Sequence, residues 1–222
     1  LRVAVPNAET LAVDLPGHGD APPPADADLW QSAERLVDEG GAATHVGYSM
    51  GGRVALHAAL SRPEHLQRLV LIGATAGIDD PDERARRRAA DERLADRIER
   101  IGVEAFVDEW LTNPLFAGLT DATAQRNDRL RNTAHGLAAS LRATGTGAQT
   151  PLWDRLGEIE VPVLVLVGER DAKFTALGER LVAGLPDARL VVIADAGHSV
   201  HLEQPAASVD AVTAWLADVH AA

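Results

Sequence analysis

Six residues, Gly47-Tyr48-Ser49-Met50-Gly51-Gly52, constrain this chain more than any others. They follow the apolar run His45 to Tyr48 and lead into a helical pattern carrying Leu56 and Leu60, which stops at Arg62-Pro63. A G-x-S-x-G sequence between a strand and a helix describes a turn too tight for side chains two positions either side of the serine. The serine hydroxyl then projects from the turn, and the next backbone N–H, that of Met50, faces outward where an oxyanion could sit. Serine chemistry at the end of a buried strand is the first expectation.

Further apolar runs bounded by turn residues predict strands at Leu11 to Val13, Leu69 to Ile72, Val161 to Val167 and Leu190 to Ile193, five in all with His45 to Tyr48. Helical patterns alternate with them: Leu29, Ala33, Leu36 and Val37 before Gly40-Gly41, and Val209, Val212, Leu216 and Val219 after Pro205. This alternation predicts an α/β fold, a mainly parallel sheet with helices on both faces. Gly73 to Glu160 is far longer than the dozen or so residues a crossover needs. Its periodicity is helical, with Leu94, Ile98 and Ile101 on one face, Leu130, Leu137 and Leu141 on another, and Asn113-Pro114 as a break. We expect core segments 1–73 and 151–222 and a helical cap over 74–150, covering the sheet's carboxyl edge. Ala21-Pro22-Pro23-Pro24-Ala25 reads as a stiff surface loop.

Composition narrows the function. The 222 residues carry 33 acidic and 21 basic side chains, a net charge of -12 that repels nucleic acid and anionic membrane surfaces. No run approaches the roughly 20 apolar residues of a membrane span. The absence of cysteine removes disulfide frameworks, thiolate metal sites and thiol catalysis together, and allows a cytoplasmic location. The chain begins at Leu1, so a signal segment would precede it.

A serine nucleophile needs a base, and the base an orienting acid. Asp171, in Gly168-Glu169-Arg170-Asp171, and His198, in Ala196-Gly197-His198, follow predicted strands at the same edge as Ser49, with Glu169 as a rival acid. His198 and His201 form H-x-x-H without a carboxylate at ligand-like spacing, so no metal is expected. His18, in Pro16-Gly17-His18-Gly19, reads as a loop-shaping residue.

With these residues in view, the chain from Leu11 onward resembles the α/β-hydrolase superfamily. Its finer likeness is to the 2-succinyl-6-hydroxy-2,4-cyclohexadiene-1-carboxylate synthases of menaquinone biosynthesis, the MenH family. The likeness rests on GYSMGGRVAL, the cap stretches RARRRAADERLADRI and FVDEWLTNPLF, SLRATGTGAQTPLW, GERDAKF and AGHSVHLEQP. It implies a lyase on a hydrolase scaffold that eliminates pyruvate from 2-succinyl-5-enolpyruvyl-6-hydroxy-3-cyclohexene-1-carboxylate through Ser49, His198 and Asp171, without a cofactor. The tricarboxylate substrate implies a basic pocket. Arg53 lies one helical turn past Ser49, and Arg87 matches the family's cap arginine. The resemblance also places Tyr48 and Trp110 in the substrate pocket, with Arg142 a weaker carboxylate ligand.

One departure stands out. The family has a strand ending in His-Gly-Phe-like residues before the Leu11 run, followed by a loop that supplies the second oxyanion donor, and nothing before Leu11 matches it. We expect the sequence to be a fragment of a complete enzyme. The same triad also suits a carboxylesterase or carbon-carbon bond hydrolase, and the fold a non-enzymatic ligand-binding module. Oligomeric state is not legible.

Overall fold

The computed structural model of the chain describes residues 9–23 and 28–221. In chain order its elements are α1 (Leu29–Gly40), β1 (Ala43–Tyr48), α2 (Met50–Ser61), β2 (Leu66–Ile72), α3 (Pro81–Leu111), α4 (Arg126–Arg129) and α5 (Ala134–Thr144), then β3 (Val163–Gly168), α6 (Ala172–Gly184), β4 (Ala188–Ile193), α7 (Val200–Glu203) and α8 (Pro205–Ala221). Pro24 and Ala25 of the proline loop and the Val219 side chain lie outside the described residues.

Local chemistry sets the boundaries. Asp28 caps α1, its carboxylate accepting the N–H groups of Trp30 at 2.7 Å and Gln31 at 3.1 Å while the Gln31 side chain accepts the Asp28 N–H. β3 begins at Val163, two residues later than the apolar run predicts. Pro162 has no N–H to give the ladder, although its carbonyl still accepts from Leu69 N at 3.0 Å.

The four strands are parallel in the order β1-β2-β3-β4. Alternation sends Leu69, Leu71, Val163, Val165 and Val167 into a core with α1, α2 and α6, and Val70, Ile72, Leu164 and Leu166 against Val200, Val212 and Trp215 on the other face. Because both faces are covered, β3 and the Leu69–Ile72 part of β2 are apolar throughout rather than alternating. All four strands end at one edge, and the loops bearing Ser49, Gly73, Asp171 and His198 leave from it.

Leu11 to Val13 is a correction. These residues run as irregular chain with Leu11 67% exposed, and the sheet has four strands among the described residues, not five. A strand exists only where a neighbour offers its hydrogen-bonding edge, and no described strand pairs with this run.

The long insertion between β2 and β3 is helical. Residue Gly102, at φ 81°, breaks the 31-residue α3 in a backbone conformation that favours glycine. Ala95, Ile98, Phe106, Val107 and Ala138 form a cluster of their own between α3 and α5. Hydrogen bonds tie the insertion to the core, among them Leu152 N to Ala76 O at 2.8 Å, Trp153 Nε1 to Gly77 O at 3.0 Å, Arg53 Nη1 to Thr144 O at 2.6 Å and Gly19 N to Asn132 Oδ1 at 2.9 Å.

Candidate active site

The turn at Ser49 excludes a side chain at Gly47 and at Gly52, whereas a Cβ at Gly51 would meet nothing within 4 Å, so the expected crowding two positions either side of the serine holds only on the Gly47 side. A Cβ at Gly47 would overlap the backbone of Gly51 and Gly52, and one at Gly52 would sit 2.6 Å from the Ala74 methyl. Ser49 itself holds φ 49°, ψ -107°, a left-handed conformation that costs a side-chain-bearing residue about 1–3 kcal/mol. The Ser49 N–H, bonded to Ile72 O at 2.8 Å, anchors the turn to β2. Helix α2 starts at the next residue, so the Met50 N–H belongs to the first turn, where donors lack intrahelical acceptors and the helix dipole favours negative charge.

The base and the acid meet across two loops. His198, buried after β4, donates from Nδ1 to Asp171 Oδ2 at 2.9 Å. Asp171 is held from behind as the cap of α6, Oδ1 accepting the Phe174 N–H at 3.2 Å. Partial burial pushes the Asp171 carboxyl up. The hydrogen bond to His198, the Phe174 N–H and the nearby Lys173 charge outweigh that, so it is held below the usual carboxylate range. An ionised Asp171 fixes the proton of His198 on Nδ1 and leaves Nε2, which makes no hydrogen bond among the described residues, as the basic nitrogen. The imidazole packs between the rings of Phe174, 4.3 Å away, and Tyr48, 5.3 Å away. The rival acid Glu169 turns elsewhere and accepts the Asp195 N–H at 3.1 Å.

Glu203 determines where His198 sits. Its Oε2 accepts the Gly197 N–H at 2.7 Å and its Oε1 the Ser199 N–H at 3.0 Å, so one carboxylate grips the backbone on both sides of the histidine. The sequence reading missed this residue, although the acid five positions after His198 in AGHSVHLEQP was the available signal. It also missed Ser199, hydrogen-bonded to the Tyr48 hydroxyl at 2.8 Å. Burial drives that phenol up to about 12 despite the Ser199 bond, so Tyr48 stays neutral, its ring against His201 at 4.5 Å. His201 is pushed down to about 3, chiefly by burial. Among the described residues no group of three or more His, Asp or Glu side chains could hold a metal.

The arginines occupy different settings. Arg53 is buried, and desolvation foremost, with repulsion from Arg87, lowers its guanidinium to about 10 against the opposing pull of Asp91. It bonds to the Thr144 carbonyl rather than to a carboxylate. Arg87 donates from Nε to the buried carboxylate of Asp91 at 2.7 Å, with 43% of its side chain exposed. Arg142 reaches Glu92, Asp96 and Glu99 on α3.

Two cavities lie at the site, one reaching the turn at Met50 and the other the His198–Asp171 pair, and Ser49 lines neither. One, of about 240 Å³, is lined by Met50, Trp110, His18, Arg129 and apolar cap residues including Ile98 and Leu141. Trp110 is set in it by Phe106 and Phe116, with ring centroids 5.6 and 5.7 Å away. The other, of about 360 Å³, reaches His198, Asp171 and Glu203 beneath Pro114 to Gly118. No hydrogen bond joins the Ser49 hydroxyl to His198 among the described residues; a serine at the start of a helix, on the same sheet edge as a histidine bonded to Asp171, is compatible with acyl transfer or proton abstraction beside a carbonyl.

Residues 2–211 match the model of the alpha/beta hydrolase family. A Bacillus subtilis (strain 168) protein provisionally named 2-succinyl-6-hydroxy-2,4-cyclohexadiene-1-carboxylate synthase is 38% identical over 214 residues, covering 90% of this chain and 78% of the relative. The synthase of that name from Salmonella heidelberg (strain SL476) is 37% identical over 209 residues, 91% of this chain and 81% of its own. Among solved structures, MenH from S. aureus superposes with a TM-score of 0.86 at 32% identity, covering 93% of this chain and 82% of that one.

Proposed function

The chain belongs to the 2-succinyl-6-hydroxy-2,4-cyclohexadiene-1-carboxylate synthases within the α/β-hydrolase family, and on that premise we propose that it eliminates pyruvate from 2-succinyl-5-enolpyruvyl-6-hydroxy-3-cyclohexene-1-carboxylate using Ser49, His198 and Asp171. The observation that carries the reading is the His198 Nδ1 to Asp171 Oδ2 bond of 2.9 Å, formed at the sheet edge where Ser49 leaves β1.

In this scheme Nε2 of His198, acting with the Ser49 hydroxyl, takes a proton from a carbon made acidic by the succinyl carbonyl. The C–H electron pair at C2 forms a C2–C3 double bond, the existing C3–C4 double bond shifts to C4–C5, the C5–O bond to the enolpyruvyl group breaks, and pyruvate leaves as its enolate and takes up a proton. Charge developing on the carbonyl oxygen is met by the Met50 N–H. Asp171 stabilises the imidazolium that forms. Arg53 and Arg87 are the proposed ligands of substrate carboxylates, and Tyr48 and Trp110 the apolar walls. The single carbonyl bond of Arg53 supports its part, since a buried guanidinium without its own carboxylate is suited to an anion from outside.

The test is pyruvate release from the enolpyruvyl substrate by the wild-type protein and by Ser49→Ala, Asp171→Asn and His198→Ala. The reading expects release by wild type and losses of several decades in kcat/KM in the variants. Hydrolysis of short acyl esters without pyruvate release would assign the triad to ester cleavage instead.

A further inference from the structure

We propose that Phe174 is a positioning residue of the base: its ring sets the His198 imidazole and steadies the imidazolium formed during proton abstraction, while its backbone N–H holds Asp171. This rests on the reading of His198 as the base of the elimination. In the sequence Phe174 is only the last residue of GERDAKF.

One residue touches both members of the pair. Asp171 is the N-cap of α6, and its Oδ1 accepts the Phe174 N–H at 3.2 Å. That bond fixes the carboxylate whose Oδ2 accepts from His198 Nδ1 at 2.9 Å. Side chains in a first helical turn lean back toward the N-terminus, so the Phe174 ring swings over its own cap. It meets the imidazole there, with ring centroids 4.3 Å apart and planes tilted by 55°. Thr175 anchors the same turn to β3, its Oγ1 donating to Gly168 O at 3.2 Å. Phe174 lines neither of the two cavities, so its ring supports the base without forming a wall of the substrate site.

The ring matters most when the base carries charge. As His198 takes up the proton its imidazole becomes a buried cation, a state that burial alone opposes. In a tilted pair the electropositive edge of one ring meets the electron-rich face of the other, and a positive charge on one partner strengthens the attraction. Phe174 is nearer to the imidazole than Tyr48, whose ring lies 5.3 Å away. The ionisable groups around His198 are Asp171 and Lys173 beside Phe174, Glu203 and His201 on α7, Tyr48 at the end of β1, and Arg170, which pairs with Asp195. All of them remain when Phe174 is replaced by an aliphatic residue. The replacement removes the aromatic face and keeps an apolar neighbour.

The experiment compares wild type, Phe174→Leu, Phe174→Met and Phe174→Tyr, with melting temperatures recorded throughout. Two aliphatic variants are used so that a folding defect in one leaves the other to decide. The readouts are kcat and KM for pyruvate release as a function of pH, and the proton NMR titration of the His198 ring without substrate, assigned by its loss in His198→Gln. For Leu and Met, kcat should fall by about two- to thirty-fold with KM unchanged, the span of a cation–π contact. The acid limb of the kcat/KM profile and the His198 titration midpoint should both move to lower pH, because a less stabilised imidazolium gives up its proton more readily. Tyr keeps the aromatic face and should restore the wild-type midpoint. An unmoved midpoint in the aliphatic variants, whatever the change in kcat or melting temperature, overturns the role of Phe174 and leaves the reaction standing on wild-type pyruvate release. A Tyr variant shifted as far as Leu overturns it too. A midpoint that moves as expected in a protein whose wild type releases no pyruvate overturns the elimination and keeps Phe174 as the support of His198.

Discussion

Glu203 and Gly197 are joined by a 2.7 Å hydrogen bond from the glycine N–H to Oε2, and the same carboxylate accepts the Ser199 N–H through Oε1. His198 lies between the two gripped residues, so its backbone position is set by an acid that belongs to α7. Replacing Glu203 by Ala removes two charge-assisted bonds, and stability should fall by about 1–3 kcal/mol in urea titrations. The fall in kcat should exceed any change in KM, because the imidazole loses its aim rather than the substrate its ligands. Glu203→Gln should recover only part, since its amide nitrogen would oppose one of the two N–H donors.

Asp171 gives a pH signature of known sign. Its folded pKa lies below its ordinary value, held there against burial by His198, Phe174 N–H and Lys173. Its contribution to stability is therefore complete above the ordinary carboxylate value of about 4 and is lost as pH falls through the lower folded value. Urea midpoints of wild type and Asp171→Asn should differ most near neutrality and converge in acid. A gap that widens on acidification would contradict the assignment.

Gly168, the last residue of β3, has no room for a methyl group. A Cβ there would overlap the carbonyl oxygens of Gly197 and Ala196, the residues that lead into His198. Gly168→Ala should displace that loop, lowering the melting temperature and reducing kcat by at least an order of magnitude. Gly157→Ala, at a position where a Cβ meets nothing within 4 Å, serves as the control and should leave kcat unchanged.

Arg87 and Asp91 should prove coupled. The Asp91 carboxylate is buried and accepts from Arg87 Nε at 2.7 Å and Gly147 N at 3.3 Å. Arg87→Ala strands that charge, so a loss of about 3–5 kcal/mol is the upper reference for a fully buried pair, reduced here because Arg87 is partly exposed. The double variant Arg87→Ala/Asp91→Ala should melt higher than Arg87→Ala alone. If Arg87 also binds substrate, kcat/KM stays low in the double variant, which separates the structural role from the binding one.

Much of this protein is written locally. The glycines around Ser49, the breaker pairs that end α1 and α2, and the order Ser49, Asp171, His198 are legible because turn sterics and strand-helix alternation depend on neighbouring residues. The helical character of the insertion is legible for the same reason, through the periodicity of Leu94, Ile98 and Ile101. Leu11 to Val13 shows the limit: an apolar run specifies a strand only when another chain segment presents its edge. The arginines show it more sharply. Nothing in the spacing of Arg126, Arg129, Arg131 and Arg142 tells which meets a carboxylate, since the partners of Arg126 lie 18 and 22 residues away and that of Arg131 lies 111 away. Arg53 meets Thr144 across 91 residues, and Glu203 becomes a clamp only because a short helix folds back on its own loop. Sequence alone determined the elements and the chemistry they can carry. The tertiary structure decided which charges are neutralised and which stay open to a ligand, because burial and pairing arise only when distant segments meet.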